Sequence, residues 1–223
     1  MTSEKFSTEF LNAEPVIPHS AGRVFLGAKR VLDILISVSL LPGLSLCAFV
    51  LLVLNPFKNP GPMIFGQERV GHNGRRFNIY KFRTMEGERE EVSPRFATEE
   101  EERINGLGAF MRRTRIDELP QLINVLKGEM SLVGPRPEQV EFYDEYSQAI
   151  PGYASRQVVK PGITGLAQLK YGYTSDEVGT SRKLRWDMEY ITRMGFGLEF
   201  YIMWHTFLFV ICRLLRIETA SKL

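Results

Sequence analysis

The sequence predicts a membrane-associated α+β protein, with apolar helices towards both ends and a small β-hairpin element in a polar middle. Three observations lead there. Residues 31–54 are apolar apart from Asp33 and a few serines, long enough to enter a bilayer by the usual count of roughly 20 apolar residues. Asn73-Gly74 is a hairpin turn signal flanked by β-branched and aromatic residues alternating with polar ones. Helical spacing follows at Leu119, Leu122, Ile123 and Leu126, and again at Leu184, Met188 and Ile191.

A chain of 223 residues can hold one moderate domain plus an accessory segment. Its net charge of only +2 speaks against a general nucleic-acid binder, and the basic residues cluster locally at 69–83 and 112–115. Cys47 and Cys212 lie in apolar stretches and read as buried thiols. His19, His72 and His205 are scattered, which argues against zinc. Residues 1–28 are polar and broken by Pro15, Pro18 and Gly22, giving a flexible arm without a cleavable signal.

In chain order, residues 29–55 form the first apolar unit. Pro42-Gly43 falls at its middle, where proline removes a hydrogen bond. Basic residues flank both ends, so the positive-inside rule gives no orientation, and a re-entrant helix–break–helix competes with a kinked span. In the hairpin, Phe77, Ile79 and Lys81 face one way and Asn78, Tyr80 and Phe82 the other. Such a basic hairpin suits anionic headgroups, or brings Lys81 and Arg83 to a phosphate. Residues 86–102 are acidic and read as a solvated loop or surface helix.

The centre of the chain is Arg112-Arg113-Thr114-Arg115-Ile116-Asp117-Glu118-Leu119-Pro120-Gln121-Leu122. Pro120 fits only a first helical turn, so Asp117 and Glu118 stand at a helix N-terminus among arginines, and Gly128 offers the stop. By spacing alone this is equally an N-cap aspartate with a solvated arginine face. Ser131-Leu132-Val133-Gly134-Pro135-Arg136-Pro137 closes the stretch. Residues 138–146 read as a helix, broken near Pro151-Gly152. Lys160-Pro161-Gly162-Ile163-Thr164-Gly165 is a loop whose bare N–H groups would suit an anion. Residues 182–193 read as a helix. Residues 196–215 form an aromatic, apolar stretch suited to the water–lipid interface, a core helix or a second span. Together, a membrane segment, clustered cations and a carboxylate pair point to chemistry on a phosphate-bearing substrate at a bilayer. There a carboxylate serves as nucleophile on phosphorus or as Mg²⁺ ligand. P-loop, Rossmann, His-Glu zinc and Asp-x-Asp motifs are absent from the sequence.

These runs resemble the bacterial sugar transferase family, the monotopic polyprenyl-phosphate phosphoglycosyl transferases. The matching stretches are Lys29-Arg30 with Asp33, Pro60-Gly61-Pro62, Gln67-Glu68-Arg69-Val70-Gly71, and Lys81-Phe82-Arg83-Thr84-Met85. Leu107-Gly108-Ala109-Phe110-Met111-Arg112, Asp117-Glu118-Leu119-Pro120-Gln121 and Lys127-Gly128-Glu129-Met130 continue them. Pro135-Arg136-Pro137-Glu138, Lys160-Pro161-Gly162 and Lys183-Leu184-Arg185-Trp186-Asp187 complete the set, in the family's order over about residues 28–212. The chain looks like the short, catalytic-core form.

The resemblance implies that Asp117 attacks the β-phosphate of a UDP-sugar, releasing UMP, and that polyprenyl phosphate then takes the sugar phosphate. This is the first membrane step of exopolysaccharide, O-antigen or glycan assembly. It implies Asp117 and Glu118 as catalytic residues and Mg²⁺ ligands, and Lys81, Arg83, Arg112, Arg136, Arg156 and Asp187 as substrate contacts. Pro135, Arg136 and Pro137 would shape the nucleotide pocket. It also favours the re-entrant hairpin with its break at Pro42 and Gly43, a catalytic domain over 56–193 on the cytoplasmic face of the inner membrane, and an interfacial helix and tail over 194–223. A homodimer and downstream glycosyltransferases are candidate partners, nucleic acid is not, and sugar choice is not inherited. Asn105 stands where threonine is usual, the run from Gly195 to Glu199 departs from the usual Leu-Asp pattern, and Leu169-Lys170-Tyr171 replaces a common Gly-Arg. The rival functions are an inactive scaffold for polysaccharide assembly and a phosphotransferase working through a ternary complex.

Overall fold

The computed structural model of the chain describes residues 22–86, 103–171 and 177–215. Residues 1–21 of the arm and 87–102 of the acidic stretch therefore lie outside the description. The architecture is mixed, with helices around two small sheets.

Helix α1 (Arg23–Lys58) is 36 residues long, about 54 Å at the α-helical rise. It begins inside the stretch read as an arm, where Phe25 packs edge-on against Phe196 with ring centroids 5.0 Å apart. The helix runs unbroken through Pro42 and Gly43, where the sequence places a break. Proline there removes one backbone bond, and the helix continues past that single loss. One stripe of α1 faces the body: Asp33 and Ser37 are buried, and Leu44, Cys47, Ala48 and Leu51 pack against Phe82, Met111, Leu107, Ile116 and Leu119. Both ends of the helix are tied to that same body. Near its start Arg30 donates to the carbonyls of Val125 and Leu126, and Asp33 accepts from the Leu132 N–H. Just past its end, the side-chain amide of Asn59 donates to the Arg83 carbonyl. The outward face is apolar, with Leu35, Val38, Leu46, Phe49, Leu52 and Phe57 exposed.

Strands β1 (Ile64–Val70) and β2 (Arg76–Phe82) form the expected hairpin, pairing Val70 with Arg76 and Phe65 with Lys81. Its turn is a 3₁₀ segment, His72–Gly74, with Asn73 at φ +55 and Gly74 at φ +74, the left-handed geometry that Asn-Gly tolerates. Helix α2 (Gly106–Thr114) follows, capped by Asn105, whose side chain accepts from the Gly108 N–H at 2.8 Å. Asparagine and threonine both serve as N-caps, which accounts for the departure at this position. Helix α3 (Gln121–Lys127) stops at Gly128, φ +84. Strand β3 (Ser131–Val133) and strand β4 (Glu138–Gln139) flank the Pro135-Arg136-Pro137 loop, and β4 pairs with β1 as a third strand the sequence did not announce. Helix α4 (Val140–Ala149) and a 3₁₀ segment, Tyr153–Val158, come next.

Strand β5 (Gly162–Thr164) lies parallel to β3. Of the loop N–H groups read as an anion cradle, that of Gly162 is therefore spent inside the fold, donating to the Pro135 carbonyl at 2.9 Å, and the Gly134 N–H closes the pairing by donating to the Thr164 carbonyl at the same distance. The approach is close enough to demand glycine, since a Cβ on Gly162 would stand 2.1 Å from the Gly134 nitrogen. Helices α5 (Leu166–Tyr171), α6 (Glu177–Arg193) and α7 (Phe196–Leu214) complete the chain. Tyr190, Ile191 and Met194 join Val133, Leu166 and Ile202 in the main core. Helix α7 buries only Glu199 and Ile202 and exposes Phe196, Phe200, Trp204 and Phe207 along one face.

Candidate active site

The site is built by a change of direction between α2 and α3. Arg115 ends α2 in the left-handed region at φ +60, a conformation that costs a non-glycine residue about 1 kcal/mol. The chain then makes one 3₁₀ turn, Ile116–Glu118, and Pro120, already helical at φ −59, leads into α3. Asp117 and Glu118 thus occupy a separate turn immediately before the helix, one step upstream of the N-terminal position the sequence predicts. Ile116 and Leu119 pack on the α1 side of the body, which orients the two carboxylates inward. Asp117 is 8% and Glu118 6% exposed.

Four cations converge on this pair. Lys81 projects from the face of β2 that carries Ile79 and places its Nζ 3.2 Å from Glu118 Oε1. Arg136 places an Nη 3.0 Å from the same oxygen, and Arg115 reaches it at 3.7 Å. Arg112 donates from Nε to the hydroxyl of buried Thr84 at 3.0 Å, and its charge acts on Asp117. The two acids respond in opposite ways. For Glu118, burial works against ionisation, but Arg136, Lys81 and Arg115 outweigh it and hold the carboxyl well below its usual range. For Asp117, burial and the adjacent Glu118 charge prevail over Lys81, Arg115 and Arg112, and its pKa is pushed up to about 6. Its Oδ1 is buried without a hydrogen-bond partner. Glu118 is thus a fixed anion, and Asp117 an uncommitted oxygen beside a cationic cluster that exceeds the pair's own charge.

The remaining predicted residues divide. Arg83 follows the last residue of β2 and turns away: its guanidinium donates to the carbonyls of Asn59, Pro60 and Pro62. It locks the Pro60-Gly61-Pro62 turn under the end of α1 and does not reach the dyad. Arg156 and Asp187 form a buried pair at 2.7 Å. Arg156 also donates to the Tyr153 hydroxyl at 2.8 Å and to the Arg136 carbonyl at 2.9 Å, and approaches Glu138 at 3.5 Å. Burial pushes Asp187 up to about 6 even against Arg156. This network grips the backbone of Arg136 from behind. Pro135 and Pro137 are buried on either side of it, and Arg69 donates to the Pro137 carbonyl at 3.2 Å. A cleft opens on the side of Arg115 and Arg136, two cations of the cluster, and is lined further by Arg156, Gln168, Lys183 and Asp187.

Arg115, Thr84, Tyr153 and Gln168 are site residues that sequence reasoning assigned no role. Arg115 lay in the quoted arginine run, but no periodicity tells which arginine of a run turns inward. Among the described residues no group of three or more His, Cys, Asp or Glu could cage a metal ion. Two carboxylates with an orphaned oxygen do fit a hard cation that completes its shell with water and phosphate oxygens.

A family model described as bacterial sugar transferase matches residues 24–213. A UDP-N-acetylgalactosamine-undecaprenyl-phosphate N-acetylgalactosaminephosphotransferase of Aeromonas hydrophila is 42% identical over 183 residues, 82% of this chain and 43% of that protein. A UDP-glucose:undecaprenyl-phosphate glucose-1-phosphate transferase of Escherichia coli (strain K12) is 38% identical, covering 89% of this chain and 44% of its own length. The chain thus spans less than half of each of these two. The exopolysaccharide production protein PSS of Rhizobium leguminosarum bv. phaseoli is 37% identical, over 80% of this chain and 92% of its own.

Proposed function

The chain belongs to the bacterial sugar transferase family, and from that premise we propose that it moves a sugar 1-phosphate from a UDP-sugar to undecaprenyl phosphate, at the start of polysaccharide assembly. The observation that carries this reading is the buried, unpartnered Oδ1 of Asp117 beside a fixed cationic cluster. Four cations against two carboxylates leave a positive surplus suited to a diphosphate. Asp117 Oδ1 attacks the β-phosphorus. The bond from that phosphorus to the bridging oxygen breaks, and UMP leaves with the electron pair. A phosphate oxygen of undecaprenyl phosphate then attacks the same phosphorus, the bond to Asp117 breaks, and the carboxylate is restored. Lys81, Arg115 and Arg136 hold Glu118 and face the transferring phosphoryl group, while Arg112 balances Asp117. Mg²⁺, held by Glu118 and Asp117 with substrate phosphate oxygens, would neutralise the diphosphate and its leaving group.

The same reading lays the exposed apolar face of α1 into one leaflet of the bilayer, as an unbroken helix that enters and leaves on the same side. Its two ends dock on one body, so a bilayer does not separate them, and its exposed apolar face continues the reading at the aromatic face of α7. The dyad sits one residue from the α1 packing of Ile116 and Leu119, where a lipid phosphate arriving from the bilayer would meet it. The catalytic body then faces the cytoplasm, and glycosyltransferases consume the lipid-linked product.

The relatives' names carry different sugars, so the test is a screen. Purified protein, Mg²⁺ and undecaprenyl phosphate are incubated with UDP-glucose, UDP-galactose and their N-acetylated forms, and UMP release is read. One donor is expected to give UMP, and Asp117→Asn to give none; normal turnover by that variant refutes the nucleophile. Trapping labelled sugar phosphate on the protein without lipid acceptor supports the covalent step, whereas an unlabelled protein favours direct transfer.

A further inference from the structure

We propose that Arg30 and Lys160 form a second phosphate site, which takes the headgroup phosphate of an anionic bilayer lipid at the end of α3 remote from the dyad. The inference rests on the membrane face proposed above, not on the reaction. Gly128 stops α3, and a Cβ there would stand 3.5 Å from both an Arg30 Nη and the Lys160 Nζ. The two cations therefore face one bare notch in the backbone. Arg30 spends two of its five N–H donors on Val125 and Leu126, at 2.6 and 3.0 Å, leaving three. The Lys160 ammonium has no hydrogen bond or ion pair among the described residues.

Neighbouring charges are mostly committed elsewhere. Lys29 is paired with Glu199 at 2.6 Å, and the opposite charges of Lys127 and Glu129, on either side of Gly128, offset each other. Asp33 accepts from the Leu132 N–H and offsets one of the two remaining cations. A surplus of one positive charge is left, which matches a phosphodiester. Burial and the like charge of Arg30 push the Lys160 ammonium below the ordinary lysine range. An anion in the notch would relieve both cations.

Position identifies the source of that anion. Arg30 immediately precedes Val31, Leu32 and Leu35, which are exposed and apolar, so the notch lies where the apolar face meets the polar body. That is headgroup depth. The whole of α3, seven residues and about 10 Å of helix, separates it from the dyad.

The test is thermal melting of the full chain in detergent micelles, titrated with dioleoylphosphatidylglycerol, dioleoylphosphatidylcholine or inorganic phosphate. A saturable rise with the anionic lipid is expected, and little change with the other two. Lys160→Gln is expected to move the phosphatidylglycerol midpoint about five-fold higher, the worth of one cation at an anionic surface. Lys160→Arg should restore it. Lys160→Met, which keeps the aliphatic stem, should repeat the loss if the Gln variant melts too low to titrate. Superimposed curves for the native and Lys160-substituted chains overturn the proposal, as does an equal rise with inorganic phosphate. Loss of the response in Lys81→Gln but not in Lys160→Gln would place the lipid at the dyad and overturn it too. No turnover is measured, so the outcome is independent of the transferase reaction.

Discussion

Asp117→Asn should give a protein that is inactive and yet more stable than the native chain. The carboxyl is held at about 6 against an ordinary 3.8 by burial and by the charge of Glu118. Ionising it in place therefore costs about 3 kcal/mol of folding free energy at 1.36 kcal/mol per pKa unit. At 8% exposure, solvent does little to screen that cost. The sign follows from proton binding. Between pH 3.8 and about 6 the folded state holds the proton more tightly than the unfolded chain, so native stability falls as pH rises across that window. Asparagine keeps the shape without the charge. At pH 8 the variant should gain about 3 kcal/mol, or roughly 6–12 °C in melting temperature for a chain of this size. About half of that remains at pH 5, where the folded carboxyl is mostly protonated and the unfolded one is still ionised. The assay is paired thermal melts of both proteins in one detergent at pH 8 and pH 5, with UMP release measured alongside. A variant that melts at or below the native temperature at pH 8, or a gap that widens on acidification, refutes the reasoning.

The remaining expectations concern the neighbours. UMP release in the first half-reaction should rise with pH through about 6 as Asp117 ionises, with Glu118 already an anion, and the pre-steady-state burst followed from pH 5 to 8 measures this. Asp187→Ala leaves Arg156 buried without its acid, so stability should fall by about 3–5 kcal/mol. Because Arg156 holds the Arg136 carbonyl, KM for the UDP-sugar should rise in the same variant, read from initial rates against donor concentration. Arg83→Ala should lower stability by roughly 2 kcal/mol through its lost carbonyl contacts. It should leave KM within about two-fold, and a ten-fold rise would return Arg83 to the phosphate set.

How far the sequence could be read depended on the range of the forces involved. The Asn73-Gly74 turn, the stop at Gly128 and the apolar run of α1 are dictated within a few residues, and the chain follows them. Lys81 and Arg83 share strand parity, which groups them as ligands on paper. The strand ends at Phe82, however, so only Lys81 remains on the sheet face that meets the dyad, while Arg83 folds back over the turn after α1. The β3–β5 pairing was illegible for another reason: each strand is three residues long, and their partnership is set by glycines that touch across the gap between Gly134 and Gly162.

The dyad itself shows where local reasoning stops. Asp117 and Glu118 are adjacent, equally buried and of the same chemistry, so sequence gives no ground for assigning them different proton affinities. The difference comes from three cations that arrive on β2, on the left-handed end of α2 and on the loop after β3, all aimed at one oxygen of Glu118. By saturating Glu118 they fix a negative charge beside Asp117, and that charge, added to burial, keeps the neighbouring carboxyl reluctant to ionise. A carboxylate formed at such cost, with an oxygen that nothing in the described protein claims, is more basic than an ordinary aspartate. Nucleophilicity towards phosphorus rises with basicity, so the Glu118 charge that Arg136 secures sharpens Asp117, while Lys81 and Arg115 act directly on Asp117 in the opposite sense. Removing Lys81 or Arg136 should therefore do more than weaken phosphate binding: it would let Glu118 share protons with Asp117 and blunt the distinction on which the chemistry depends.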